Sequence, residues 1–279
     1  MTSDLAPIVF GLLSAAAWGA GDFCGGLATK RSNVYGVLIG SQAAGCVALV
    51  MMALAFSERM PAFDQMAWGG VAGLAGAFGL IALYTALATG RMSAAAPVSA
   101  VIAALIPASF GILVQGVPNL LKLFGFGLAL IGVWFVSSAK GSVIDLRQLQ
   151  LPILAGLGFG VFLIIINRVS DVSIFWPLVA ARLAALIALL LVTTITQRPR
   201  LPDRTQLRLI VLAGLMDALG NSFFALAGRV GRLDVAAVLA SLYPASTVAL
   251  ARLILKERIT RMQSIGIAAT LIAIVLITI

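Results

Sequence analysis

The sequence contains no histidine and little charge of either sign. Asp, Glu, Lys and Arg together make up 10% of its 279 residues, whereas soluble domains carry about 25%. Histidine is the commonest general base and a frequent metal ligand, so its absence argues against most hydrolases and metalloenzymes. We therefore expect a protein that is not an enzyme, with no catalytic residues, no metal and no cofactor.

Cysteine is also scarce, and the motif of ATP-driven proteins is missing. Cys24 and Cys46 both lie inside apolar runs, which favours small packing residues over a disulfide framework or a metal site. None of the four lysines follows a glycine, so the chain lacks the GxxxxGK[ST] phosphate-binding loop. The sequence thus predicts a protein that does not use ATP as its energy source.

Apolar sequence is what the chain has in abundance. Hydrophobic residues make up 61% of it, and the mean hydropathy is +1.10. Uncharged windows of about 18 residues or more, each able to cross roughly 30 Å of hydrocarbon as a helix, recur along the whole chain. These runs are too long and too uniformly apolar for barrel strands. We predict an all-α integral membrane protein whose first run is a permanent span, since no basic segment precedes it.

Charged or proline-rich breaks divide the chain into ten predicted transmembrane helices. The links between them are too short for a soluble catalytic domain. The net charge of +9 falls mainly in these links, where cations set orientation and meet anionic lipid, so we expect membrane lipid and no nucleic acid as a partner. The predicted spans are residues 5–28, 33–56, 66–88, 93–115, 120–138, 150–168, 173–196, 206–227, 233–254 and 260–279.

An internal repeat appears when the chain is slid on itself by about 140 residues. The matching positions are Ala104–Pro107 with Ser241–Pro244, Ala72–Leu74 with Ala213–Leu215, and Gln42 with Arg182. The match predicts two five-helix repeats, residues 1–139 and 140–279. Because five is odd, the second copy enters the membrane from the opposite face, which gives an inverted repeat suited to alternating access.

The distribution of Lys and Arg predicts an orientation. Links on the side away from the N-terminus carry twelve of these residues, and links on the other side carry five. Because cations are enriched in cytoplasmic links, this count predicts that both termini lie outside the cytoplasm. The twelve are Lys30, Arg31, Arg91, Lys140, Arg147, Arg198, Arg200, Arg204, Arg208, Lys256, Arg258 and Arg261; the five are Arg59, Lys122, Arg168, Arg229 and Arg232.

Several motifs occur in order along this duplicated chain. They are Gly11–Trp18 with the following Gly-Ala-Gly-Asp-Phe, Tyr84–Leu87, Pro107 and Pro244 in the fourth and ninth spans, and Leu255–Arg258 leading into Gln263–Gly266. In this arrangement the sequence resembles the EamA branch of the drug/metabolite transporter superfamily. The resemblance covers nearly the whole chain.

The resemblance implies a small-metabolite transporter with a central cavity between two helical bundles. Members of the family export amino acids or drugs, and others import nutrients. The first half departs from the pattern, because Gln115–Asn119 stands where the second half has Lys-Glu-Arg. Better-characterised ten-helix relatives are described with cytoplasmic termini, which is opposite to the orientation that the charge count predicts.

Asp217 is a carboxylate in the middle of the eighth span, and Asn221 lies one turn further on. A charge at bilayer depth costs about 2.5–3.5 kcal/mol on insertion scales, so it needs a partner, a watery cavity or a function. Asp217 can hold a proton or meet a substrate amine, or it can join neighbouring helices as a structural contact. Arg182 and Arg252 can snorkel to the interface or serve as its counter-ion.

Asp22 is the second carboxylate in a span. Ser14, Trp18 and Asp22 follow at one-turn intervals on one face of the first helix. The repeat places Asn167 of the sixth helix at the position equivalent to Asp22, so we expect both to line one central path. The alternative is an interfacial Asp22 that pairs with Lys30 or Arg31.

Aromatic residues complete the predicted substrate site. Trp18, Tyr84 and Tyr243 lie on predicted cavity helices, where they can stack on a planar or cationic substrate. The predicted cavity set is Ser14, Trp18, Asp22, Tyr84, Asn167, Asp217, Asn221 and Tyr243, with Asp217 and Asp22 as candidates for ion coupling.

These observations favour a secondary transporter, most simply an exporter, of small organic metabolites such as amino acids or related amphipathic compounds. We expect it to work by alternating access in a bacterial-type inner membrane, with proton coupling through Asp217 or Asp22, as a monomer or homodimer. One alternative is a lipid or lipid-carrier flippase of the same fold, which predicts a lateral cleft. The other is a membrane-embedded enzyme, for which the sequence offers no cluster of catalytic residues.

Overall fold

The computed structural model describes residues 5–88, 92–137, 149–198, 201–256 and 260–278. These residues form α-helices joined by short links. The helices are α1 Leu5–Thr29, α2 Val34–Ala55, α3 Phe63–Ala88, α4 Met92–Gln115, α5 Leu120–Ser137, α6 Gln150–Val169, α7 Phe175–Ile195, α8 Leu207–Val230, α9 Leu233–Ala240, α10 Tyr243–Ile254 and α11 Arg261–Thr278.

A helix stands at each of the ten predicted spans. Eight helical stretches in the described residues are long and apolar enough to cross a membrane, and the shorter apolar helices Leu120–Val136 and Arg261–Ile277 fill the fifth and tenth positions. In hydrocarbon the backbone must bond to itself, so uniformly apolar runs of this length fold as helices. The prediction of an all-helical, multi-pass membrane protein is confirmed.

The ninth span is broken. Residues 233–254 form two helices, α9 and α10, that are separated at Ser241 and Leu242. Pro244 occupies the first turn of α10, where its missing N–H costs no hydrogen bond. By contrast, α4 continues through Pro107 without a break in its helical assignment. The prolines at equivalent positions of the two halves therefore act differently.

The links fall into two groups, one at each end of the helices. At one end the side-chain amide of Asn33 donates to the carbonyl of Leu201 at 2.5 Å. At the other end Glu58 accepts hydrogen bonds from the backbone N–H groups of Ile174 and Phe175, at 2.5 and 2.9 Å. Links one and seven thus meet at one end, and links two and six meet at the other, as expected for helices that alternate in direction.

Asp203 holds its link outside the membrane spans. Its carboxylate accepts hydrogen bonds from the backbone N–H and the hydroxyl of Thr205, at 2.8 and 2.9 Å. These bonds favour the charged form and lower the pKa of Asp203. The carboxylate therefore stays ionised in neutral solution and begins the short helical turn that precedes α8.

Helix packing follows reciprocal pairs between the two halves of the chain. The contact of α1 with α8 corresponds to the contact of α6 with α3. The contact of α2 with α8 corresponds to that of α7 with α3. The contacts of α1 with α9 and α10 correspond to that of α6 with α4. The remaining main contacts join α2 to α7, α4 to α9 and α5 to α11.

Glycines make the closest of these helix contacts, and they too occur in reciprocal pairs. Gly73 of α3 lies against the carbonyl of Ala181 in α7, and Gly214 of α8 lies against the carbonyl of Ser41 in α2. A Cβ at either glycine would overlap that backbone oxygen. The small-residue spacing in the sequence thus corresponds to helices that touch backbone to backbone.

Two apolar clusters flank the centre of the bundle. One gathers residues of α1, α4, α5, α9 and α11 around Val133, Val238 and Ile277. The other gathers residues of α2, α3, α6, α7 and α8 around Leu49 and Leu178. α1 and α8 pack closely along their length, so polar groups on their facing sides lie between these clusters.

Candidate functional site

Three helices bring a charged cluster together inside the membrane region. Arg182 of α7 donates from Nη1 to Oε1 of Gln42 on α2. Its Nη2 forms an ion pair with Oδ2 of Asp217 on α8, although the geometry is not that of an aligned hydrogen bond. Arg182 is therefore the counter-ion of Asp217 and does not snorkel to the interface.

Asn221 completes the cluster one turn along α8. Its amide nitrogen donates to the backbone carbonyl of Asp217 at 2.7 Å and to Oδ1 of the same residue at 3.3 Å. The side chain of Arg182 is 8% exposed, whereas that of Asp217 is 41% exposed. The pair is thus buried on its cationic side and open on its anionic side, so Asp217 is the partner that a solute can reach.

The inner face of α1 is built from residues at one-turn intervals. Ser14 is fully buried, and its hydroxyl donates to the carbonyl of Gly220 at 2.8 Å. Trp18 stacks on Phe224 with ring centroids 5.9 Å apart and meets the edge of Tyr243 at 6.4 Å. Gly220 leaves the room for this indole ring, because a Cβ there would overlap it. Two predicted site residues, Trp18 and Tyr243, are therefore in contact.

Asp22 lies on the same inner face, one turn beyond Trp18. The residue is solvent-exposed, although α1 packs closely against α8 and α10. Asp217 and Tyr243 both lie within electrostatic reach of it. The predicted residues of α1, α8 and α10 thus converge on one region.

The interfacial alternative for Asp22 finds no support in the contacts. Within the described ranges no hydrogen bond or ion pair joins Asp22 to Lys30 or Arg31. Its neighbour Gly21 packs against α8, where a Cβ would lie 3.4 Å from the backbone nitrogen of Asp217. Asp22 therefore sits beside the middle of α8 and not among the basic residues that follow α1.

Two other predicted site residues, Asn167 and Tyr84, are not seen at this region. Asn167 of α6 lies against Gly228 near the end of α8. Because Gly228 is eleven residues beyond Asp217, the two levels differ by about 16 Å along the helix. The structure therefore does not bring Asn167 to Asp22. Tyr84 belongs to α3, but its side chain lies outside the described residues.

Sequence reasoning missed two residues of this region. Gln42 entered only as the repeat match of Arg182, but the two side chains are in direct contact. Thr247 of α10 donates to the carbonyls of Gly19 and Tyr243, at 3.1 and 3.2 Å, and so ties α10 to α1. The repeat offset was a usable signal for Gln42, because it pairs this residue with Arg182. No sequence signal marks Thr247.

A separate groove lies between α2 and α8. It has a volume of about 740 Å³, is open to one side, and is lined only by apolar residues from 40–52 and 211–219, among them Val47, Met51 and Leu215. Asp22, Arg182 and Asp217 are not among its lining residues.

Comparison with known proteins finds a family similarity in the second half of the chain. The model of the EamA-like transporter family matches residues 148–279. A solved crystal structure of a protein superposes with a TM-score of 0.78 over 97% of this chain and 95% of its own, at 17% sequence identity, which shows a shared fold. No curated protein matches the sequence.

The family match agrees with the motifs that carry the resemblance in the second half, Pro244, Leu255–Arg258 and Gln263–Gly266. The apolar helices indicate a multi-pass membrane protein, and its second half, residues 148–279, is similar to the EamA-like transporter family.

Proposed function

We propose that this protein is a secondary transporter of small organic metabolites that works by alternating access. The observation that carries the proposal is the cluster of Gln42, Arg182, Asp217 and Asn221 at membrane depth, beside the exposed Asp22. Charged groups there are costly and commonly mark a solute or ion pathway. The cluster joins the two halves of the chain, so any relative motion of the halves acts on it.

Two inverted five-helix repeats, residues 1–139 and 140–279, are part of the proposal. The reciprocal packing of the helices supports a two-fold relation, since every main contact has its counterpart with the halves exchanged. The glycine contacts support it at residue level, because Gly73 on Ala181 and Gly214 on Ser41 match at an offset of about 140. With five crossings in each half, the relating axis lies in the membrane plane. Exchange of the two arrangements then opens the site to opposite sides.

The residue types in this region support a substrate class. Trp18 and Tyr243 supply aromatic surface, and Asp22 and Asp217 supply negative charge, a combination that suits amino acids or related amphipathic metabolites. Ser14, Asn221, Tyr84 and Asn167 complete the proposed path. We favour export across a bacterial-type inner membrane, with a proton taken up at Asp22 or Asp217 as the substrate leaves.

Flux through reconstituted vesicles tests the proposal. Proteoliposomes loaded with a mixture of amino acids and amphipathic amines are followed by mass spectrometry, with an imposed pH gradient and without one. We expect some of the solutes to leave faster than from protein-free vesicles, and the gradient to change that rate. If no solute leaves faster under either condition, the proposed function is wrong. If Asp22→Asn and Asp217→Asn both leave pH-dependent flux unchanged, carboxylate coupling is wrong.

The groove between α2 and α8 favours a lipid flippase as the second candidate, since a lateral apolar cleft is what a lipid tail needs. The same vesicles distinguish the two functions. A flippase moves a fluorescent phospholipid from the inner to the outer leaflet, where a membrane-impermeant reductant quenches it, and leaves soluble metabolites inside. A metabolite transporter gives the opposite result.

A further inference from the structure

The two carboxylates in the membrane spans, Asp22 and Asp217, differ in whether a counter-ion contacts them. Asp217 has Arg182 as its counter-ion and Asn221 as a second hydrogen-bond donor. Asp22 has no hydrogen bond or ion pair with any side chain in the described part of the chain. Asp217, which carries a charge of the same sign, lies within electrostatic reach of it. A bound cation is therefore the group that would stabilise ionised Asp22.

The surroundings of Asp22 restrict the kind of cation. Trp18 precedes it by one turn on the same face of α1, and the ring of Tyr243 meets Trp18 at 6.4 Å. Both rings are only half-buried, so part of their surface remains accessible. Calcium and magnesium need several oxygen ligands, and no group of three or more Asp, Glu or Cys side chains gathers in the described ranges. One carboxylate beside two aromatic rings instead suits an organic ammonium group.

We propose that Asp22, Trp18 and Tyr243 bind the ammonium group of an organic cation, and that Asp217 serves as the internal partner of Arg182. This inference rests on the proposed function and names its substrate class. The solvent-exposed carboxylate forms the charge-assisted contact, and the rings hold the methylene groups next to the nitrogen. Selectivity for amines over neutral analogues then comes from Asp22 alone.

Equilibrium binding to the purified protein tests this assignment without any transport step. The probes are benzylammonium and benzyl alcohol, which share a ring but differ in charge, and titration calorimetry in lipid nanodiscs measures both. We expect benzylammonium to bind about tenfold tighter than benzyl alcohol. Asp22→Asn abolishes that difference, and Asp22→Glu retains it. Equal binding of both probes to the unmodified protein overturns the proposal.

A control variant separates Asp22 from an acid elsewhere on the chain. Asp64→Asn removes an exposed carboxylate in the first turn of α3, and the preference is expected to persist. Loss of the preference in Asp64→Asn would show that the effect is not specific to Asp22.

If Asp22→Asn does not fold, the affinities of the two probes for the unmodified protein and for Asp22→Glu still test the inference. An unchanged preference in folded Asp22→Asn overturns the inference. Failure of the proposed function appears as absent solute flux in vesicles, whereas failure of this inference appears as equal binding of the charged and neutral probes.

Discussion

At the scale of single residues, the central feature is the ion pair between Arg182 and Asp217. Arg182 is almost wholly buried between α2, α7 and α8, where an unpaired guanidinium would be costly. Its partners Gln42 and Asp217 come from different halves of the chain. The contacts of Arg182 therefore join α7 to helices of both halves of the chain.

Removal of Asp217 should destabilise the protein strongly. Asp217→Asn leaves Arg182 buried without a counter-ion, and loss of one partner of a buried pair costs about 3–5 kcal/mol. We expect the lower end of that range, because Asp217 is 41% exposed. Thermal unfolding of the purified variant measures the change.

A double-mutant cycle checks whether the loss arises from the pair. Arg182→Gln/Asp217→Asn should be less destabilised than the sum of its single variants, by about 1–3 kcal/mol, because the residues are in contact. Additive effects would mean that Arg182 and Asp217 act independently and that the ion pair contributes little.

At the scale of helices, close packing through glycine is the main feature. Gly73 and Gly214 allow α3 and α8 to reach the backbones of α7 and α2. The break in the ninth span before Pro244 is a second feature, because it divides the span into α9 and α10 while the N–H groups of Ser241 and Leu242 stay hydrogen-bonded to α9. Both features lie beside helices that carry the polar cluster.

Two glycines of α3 provide a matched comparison. Gly73→Ala places a Cβ on the carbonyl of Ala181, so α3 and α7 must separate, at a cost of about 1–3 kcal/mol. Gly70→Ala meets no atom within 4 Å and should be neutral or stabilising by up to about 1 kcal/mol, since alanine is the better helix former. Thermal unfolding of both variants measures the difference. Equal effects would contradict a role for this contact.

At the scale of the whole molecule, the two groups of links define two faces. One contains Asn33 and Leu201, and the other contains Glu58 and Ile174. The Lys and Arg count predicts that the first face is cytoplasmic and that both termini lie outside. The resemblance to the EamA branch implies the opposite orientation, with cytoplasmic termini, and a direct measurement decides between the two.

Labelling of single cysteines in intact cells measures the orientation. Cys24 and Cys46 are first replaced by alanine, and Met60→Cys and Leu201→Cys are then made separately, at exposed positions on opposite faces. Neither change alters the charge count. We expect a membrane-impermeant maleimide to label Met60→Cys in intact cells, and Leu201→Cys only after lysis. The reverse pattern would place the termini in the cytoplasm and show that the charge rule fails for this chain.

The sequence by itself determined the class of protein and its elements. Long uncharged runs can only be helices in hydrocarbon, and this constraint is local, so ten helical positions and the membrane environment followed directly. The similarity of the second half to the EamA-like transporter family could also be seen in the sequence, because motifs such as Leu255–Arg258 are contiguous in the chain. The break at Ser241 does not follow from the proline alone, since Pro107 at the matching position of the first half leaves α4 continuous.

The tertiary structure decided the partners. The sequence left two alternatives for Arg182, the interface or a counter-ion role, and only the packing of α7 between α2 and α3, close to α8, made it the counter-ion of Asp217. The same packing separated Asn167 from Asp22 and left Asp22 exposed on the inner face of α1. A charge at membrane depth needs a partner or an accessible space, and side chains of other helices supply either one. Only their relative placement in three dimensions determines which carboxylate is neutralised and which remains open to a ligand.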